Sequence, residues 1–388
     1  MEATGETGAN RTAEATARDP ERLHREGLVI DTCSQLGPTV ITPAMTQRLD
    51  ELAAARAPSW AFVVELARMA HESLLADELP GFWDGWDRAG VDAGCVTIGA
   101  FGERPFSFEN AVRDLAEFTE TFDAIPHRLI KATSADDVER AARDGKCAVI
   151  LAFQNTTHFG DDLDRLALFH QLGVRIMQLT YNSRNLVGDG CTERVQTGLS
   201  AYGVEVVRRM NELGVLVDVS HCSDATSLDA IHVSERPVAA DHAFCGSVVR
   251  HDRAKADDVA RAIAERDGYF GVCVVPFFIT DDPHPTLDHW LRHVDRAVEL
   301  AGVERVGIGT DWGEDLPPAL VRVLNDEMLR MGFRDEHRVD WAATTEGFRT
   351  WGEWPNLTRA LVDHGYSDDE VSGLLGRNFL RVFRAAVG

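Results

Sequence analysis

The sequence predicts an α/β protein: a (β/α)8 TIM-type barrel with a helical insertion between strands 1 and 2. Three observations carry this. Eight short β-like runs recur along the chain, helical patterns separate them, and no glycine-rich phosphate turn follows an early strand. The last point counts against a doubly wound sheet, which would want G-x-G-x-x-G or G-x-x-x-x-G-K-[ST] there.

The runs are LVIDT (28–32), AGCVTIG (93–99), CAVILAF (147–153), RIMQLTY (175–181), VLVDVSH (215–221), PVAADH (237–242), YFGVCVVP (269–276) and RVGIGTD (305–311). Most are continuously apolar, as strands covered on both faces by helices should be. Residues 1–20 lack an apolar h-region and read as a disordered tail, leaving 21–388 as one barrel domain. Residues 36–92 are long and helical, an insertion that would cap the barrel mouth. Ser134-Ala-Asp-Asp137 is a capping-box-like start for a helix over 135–143. Apolar residues at helical spacing mark 161–172 and 201–213, the latter with Ser200 as N-cap. Helices over 255–266 and 289–301 follow, and Ser367-Asp-Asp-Glu370 opens a last one through GLLGRNFLRVF.

With 388 residues, 44% hydrophobic and 26% charged, the chain has material for a large core. Its formal charge of −24 and lack of a basic cluster argue against nucleic-acid binding, which draws on Lys and Arg against phosphate. No segment is apolar and long enough to span a membrane. Seven cysteines, with no CxxC pair, suggest reduced thiols in a cytoplasm. Cys95, Cys147 and Cys273 read as small core hydrophobes. Barrel enzymes often pair, so a homodimer is allowed.

Barrel chemistry sits at the C-terminal strand ends. There the first run delivers Cys33 and Gln35, the third Gln154, and the fourth Tyr181 and Asn182. The fifth delivers His221, the sixth Asp241 and His242, and the eighth Asp311. Two histidines on adjacent strands with a carboxylate make a credible metal site, since neutral imidazole is the commonest metal ligand. His158 is a weaker candidate for the mouth. His24, His71, His127, His170 and His364 read as surface residues. Phe106, Phe108, Trp351 and Trp354 are candidates for an apolar substrate wall or for ordinary packing.

The stretches LGVLVDVSHCSDATSLDAI, RPVAADHAFC, RHDRA, VGIGTDW, PNLTRALVDHGYSDDEV and LLGRNFLRVF resemble the membrane (renal) dipeptidase family of zinc peptidases, in its soluble bacterial branch. The resemblance runs from about residue 28 to the C-terminus. It implies an amidohydrolase-like barrel holding two zinc ions bridged by a hydroxide. His221 and His242 match the ligands of the second ion, and Asp311 the proton-handling Asp. Arg253 is the better match to the Arg that holds the substrate carboxylate, with Arg250 the competitor. Elsewhere the chain departs from the family. The His-x-Asp of strand 1 stands as Cys33-x-Gln35, the bridging Glu as Gln154, and the strand 4 His as Tyr181.

A neutral amide cannot balance a divalent cation or bridge two of them. The expected metal site is therefore degenerate, with one zinc ion or none. The reading that follows is a dipeptidase-like hydrolase acting on a dipeptide or small amide with a free carboxylate. His221, His242, Asp311 and Cys33 would form its ligand set, with Arg253, Tyr181, Gln154 and Gln35 facing substrate. A metal-independent lyase, isomerase or cyclase is the alternative, or a thiol enzyme with Cys33 as nucleophile. A non-catalytic relative binding an acidic small molecule through Arg253 is the third.

Overall fold

The computed structural model describes residues 18–34, 36–98, 107–311 and 316–388. The readings made for residues 1–17, Gln35 and Phe106 lie outside the described residues. Every expected run contains a strand: β1 (Ile30–Ser34), β2 (Ala93–Thr97), β3 (Cys147–Phe153), β4 (Val174–Gln178), β5 (Leu216–Asp218), β6 (Val238–Ala243), β7 (Tyr269–Val272) and β8 (Val306–Ile308). All neighbours pair in parallel and in chain order. A short extra strand, Leu129–Lys131, was not foreseen. It pairs with Cys147–Val149 on β3, while β4 pairs with Leu151–Phe153. Three residues are too few to carry a period.

The apolar runs are continuous because both strand faces are covered. On β3, Ala148, Ile150 and Ala152 join one buried cluster, and Val149, Leu151 and Phe153 join another. Side chains alternate across a strand, so these clusters lie on opposite faces. The last helix, Asn378–Ala386, adds Phe379, Val382 and Phe383 to the first cluster. Ser134, Ser200 and Ser367 cap their helices, each accepting from the backbone N–H three residues on. Helices Pro43–Ala54, Ser59–Leu75 and Phe82–Ala89 occupy the β1–β2 connection. No described helix is long and apolar enough to cross a membrane.

One of the surface readings is corrected. His24 is buried, with Nδ1 2.7 Å from Thr358 Oγ1 and Nε2 2.8 Å from the Ala89 carbonyl. Its helix, Pro20–Glu26, packs against Trp354–His364, a long-range contact that local polarity does not reveal.

The seam between β8 and β1 is held by a buried side chain. Asp31 accepts from Thr310 N (2.8 Å), Thr310 Oγ1 (2.6 Å) and Cys33 N (3.3 Å). It also accepts from Trp351 Nε1 (3.4 Å) and Trp354 Nε1 (3.3 Å). Those tryptophans are therefore seam residues, buried and away from the mouth: of the two readings open to them, ordinary packing is the one the structure shows. One backbone bond completes the closure, from Asp311 N to Cys33 O at 2.9 Å. Just beyond β8, only a glycine fits the crowded space between β1 and β6: a Cβ on Gly309 would sit 2.0 Å from Asp241 O and 2.6 Å from Thr32 Oγ1.

Removing the Asp31 carboxylate strands four buried donors, each costing about 1–3 kcal/mol when unsatisfied, and leaves Thr310 Oγ1 only the Cys33 carbonyl at 3.4 Å. Asp31→Ala is expected to lower unfolding free energy by at least about 3 kcal/mol in urea titrations, and Asp31→Asn by less. A loss below about 1 kcal/mol for the alanine variant would mean the seam closes without it.

Candidate functional site

The strand ends converge on a cavity of about 270 Å³. Cys33, Gln154, Tyr181, His221 and Asp311 line it, with aromatic walls at Phe118, Phe277, Phe278, Phe333 and Trp341. Phe108 is not among them; it packs on Phe169, with ring centroids 5.5 Å apart. His158 is also off the cavity, buried and stacked on Phe153 at 4.3 Å.

His221 and His242 meet through their Nε2 atoms, 2.9 Å apart. Each ring is held from behind. His221 Nδ1 lies 2.7 Å from Asn182 Oδ1. The Asn182 amide is oriented by its own Nδ2 donating to Met331 O at 3.0 Å, so Oδ1 accepts and His221 Nδ1 carries the proton. His242 Nδ1 pairs with Asp241, which also accepts from Ser220 Oγ at 3.0 Å. Burial lowers both imidazoles, His221 well below its ordinary value and His242 to about 4. The nearby cations Arg253 and Lys255 push His221 the same way. With Asp241 ionised, both Nδ1 protons are given elsewhere and the two Nε2 lone pairs face each other; with Asp241 protonated, His242 Nε2 instead donates to His221 Nε2. A shared cation relieves the lone-pair clash, and imidazole held by an acceptor at its other nitrogen is the usual form of a metal ligand.

Asn182 is the residue that sequence reasoning left without a role. It has φ +53°, as does Asp311. A non-glycine residue in this left-handed region costs about 1–3 kcal/mol, and Asn and Asp tolerate it best. Two of the seven described non-glycine residues in this region, Asn182 and Asp311, therefore sit at the site. The signal was an Asn directly after a strand-end aromatic.

The positions that depart from the family form their own network. Gln154 Nε2 donates to Cys33 Sγ at 3.4 Å, and Cys33 Sγ donates to Asp311 Oδ1 at 3.5 Å. Burial first, then Asp311, Asp241 and Asp31, raise the Cys33 thiol well above its ordinary value. Burial also raises Asp311, Asp218 (to about 7) and Asp241 (to about 7). Tyr181 stacks on His221 with ring centroids 4.1 Å apart, and burial keeps its phenol protonated.

Cys33, His242 and Asp311 offer ligand atoms all within 4.8 Å of one another, and His221 adjoins them through His242. Two imidazoles, a carboxylate and a thiol suit one zinc ion. They do not suit two, because Gln154 brings no charge to a bridging position. Arg253 does not line the cavity. It is 1% exposed, and Nη1 and Nη2 donate to the carbonyls of Ser220 and His242. Arg250 is exposed.

A model for membrane dipeptidase (peptidase family M19) matches residues 21–337. Dipeptidase tcpJ of Claviceps purpurea is 30% identical over 260 residues, covering 66% of this chain and 55% of the relative. Dipeptidase verJ of Clonostachys rogersoniana is 29% identical over 259 residues, covering 66% and 59%. The matches thus span a little over half the length of these relatives. The crystal structure of an amidohydrolase from Pseudomonas aeruginosa is 25% identical, with a TM-score of 0.73 over 96% of this chain and 100% of the other.

All seven cysteines are buried and unpaired, and Cys33 is held as a thiol. Iodoacetamide near neutral pH is expected to leave Cys33 unmodified in the native metal-free protein, read by peptide mapping, and to modify it after denaturation. Fast native alkylation of Cys33 would revive the thiol-enzyme reading.

Proposed function

The chain belongs to the membrane dipeptidase family, and on that premise we propose that it is a dipeptidase-like hydrolase working with one zinc ion. The substrate is a dipeptide or small amide with a free carboxylate. Water adds to the amide carbonyl, the C–N bond breaks, and a water proton leaves on the amine.

The observation that carries this reading is the histidine pair, whose facing Nε2 atoms lie 2.9 Å apart with both Nδ1 atoms already engaged. His221 and His242, with Asp311 and Cys33 in reach, would hold a zinc ion, which would supply Lewis acidity toward the carbonyl. Asp311 takes the proton from the attacking water and returns it to the amine. Tyr181 donates its phenolic proton to the carbonyl oxygen as negative charge develops there. Arg253 Nε has no hydrogen-bond partner, but it is buried behind His242 and off the cavity, so it would meet a substrate carboxylate only once its side chain turned toward the mouth. Gln154 holds the Cys33 thiol and orients substrate; Gln35 belongs to the same substrate-facing set. A cytoplasmic location fits seven unpaired thiols.

A second reading, a metal-independent acid–base enzyme, has one observation in its favour. The Gln154–Cys33–Asp311 chain satisfies those three side chains without an ion.

A dipeptide panel separates the two. Hydrolysis is expected to disappear on chelation and to return with zinc, and Asp311→Asn to lower kcat by about 100-fold or more. Turnover indifferent to chelator would favour the metal-independent enzyme. An Asp311→Asn variant within a few-fold of the parent would remove Asp311 as the proton carrier.

A further inference from the structure

A second cavity, of about 460 Å³, lies beside the first. Its walls come mainly from the helices of the β1–β2 connection and from helix Pro318–Arg330: Leu66, Ala70 and Leu74, Trp86, Leu320 and Leu324. Two of its polar side chains, His71 and Thr121, bond each other at 3.1 Å and so ask for no polar ligand. Val96, Phe118 and Trp341 border both cavities. The apolar space therefore starts where the reaction site ends.

The direction of entry follows from the topology. Val96 is on β2, whereas His242 and Arg253 belong to β6 and the loop after it. These strands stand four apart among eight, on opposite sides of the barrel. In the hydrolase reading the amine-side carboxylate lies toward the His242 side, with Arg253 buried behind it, and the acyl group then points toward Val96 and the apolar cavity.

We propose that this cavity binds an aliphatic chain on the acyl side of the substrate, so that the preferred substrates are amino acids N-acylated by a medium-length hydrocarbon chain. The proposal rests on the hydrolase reading for its chemistry, but binding tests it separately. Each buried methylene contributes enough transfer free energy to tighten binding about fourfold.

The probes are N-ethyl-, N-hexyl- and N-decylglycine, which keep the chain and the carboxylate but have no amide to cleave. Calorimetric Kd on the zinc-supplied full chain is expected to fall by about fourfold per added methylene until the cavity is full. Ala70→Trp, which fills the cavity, is expected to flatten that series. Should it not fold, Ala70→Leu is expected to cut the series short at a smaller chain length. A flat series in the parent protein, or an unchanged slope in a folded Ala70→Trp variant, would overturn the proposal whether or not dipeptides are hydrolysed. The matching N-acylglycines, assayed for cleavage, separate the two ideas. Chain-dependent binding without cleavage of any amide upholds the cavity and overturns the hydrolase reading instead.

Discussion

A buried carboxylate closes this barrel, and the site depends on that closure. Parallel strands must be brought round until the last meets the first, yet β8 and β1 share little ladder. Asp31 supplies the missing bonds, accepting from both the backbone and the side chain of Thr310 and from two tryptophans of the C-terminal segment. Its burial raises it to about 6, and the donors around it oppose that rise. The same closure sets Cys33 of β1 against Asp311 just after β8, backbone to backbone and side chain to side chain. Fold and chemistry thus share one joint.

Across the mouth the histidine pair faces the opposite problem. Asn182 and ionised Asp241 take the Nδ1 atoms, burial keeps both rings neutral, and their free lone pairs are left pointing at one place. One cation resolves this. A second has no charged bridge to sit on, because Gln154 is a neutral amide and Cys33 is held as a thiol, and they bond each other. On the proposed reading these donors hold one ion, with Tyr181 as a neutral donor stacked on His221.

Much of this was legible in the chain. Continuous apolar runs locate all eight barrel strands, and reading off their last residues finds Cys33, Gln154, Tyr181, His221, His242 and Asp311. What was not legible depends on long-range contacts. Trp351 and Trp354 read equally as pocket aromatics or as packing until Asp31, more than three hundred residues earlier, is seen to accept their N–H groups. His24 looks exposed until Thr358 is placed beside it. Arg253 matches a carboxylate-binding position by motif, but its buried guanidinium also serves two backbone carbonyls, which no motif records. Phe277, Phe278, Phe333 and Trp341 wall the cavity from distant segments, with no local pattern to announce them.

His221 and His242 form the core of the proposed site for one metal ion. A zinc-binding isotherm on the metal-free protein, read by competition with a chromophoric chelator, tests it most directly. The account predicts a single tight site per chain, lost in the His221→Ala His242→Ala double variant. Two tight sites, none, or one that survives the double substitution would contradict it.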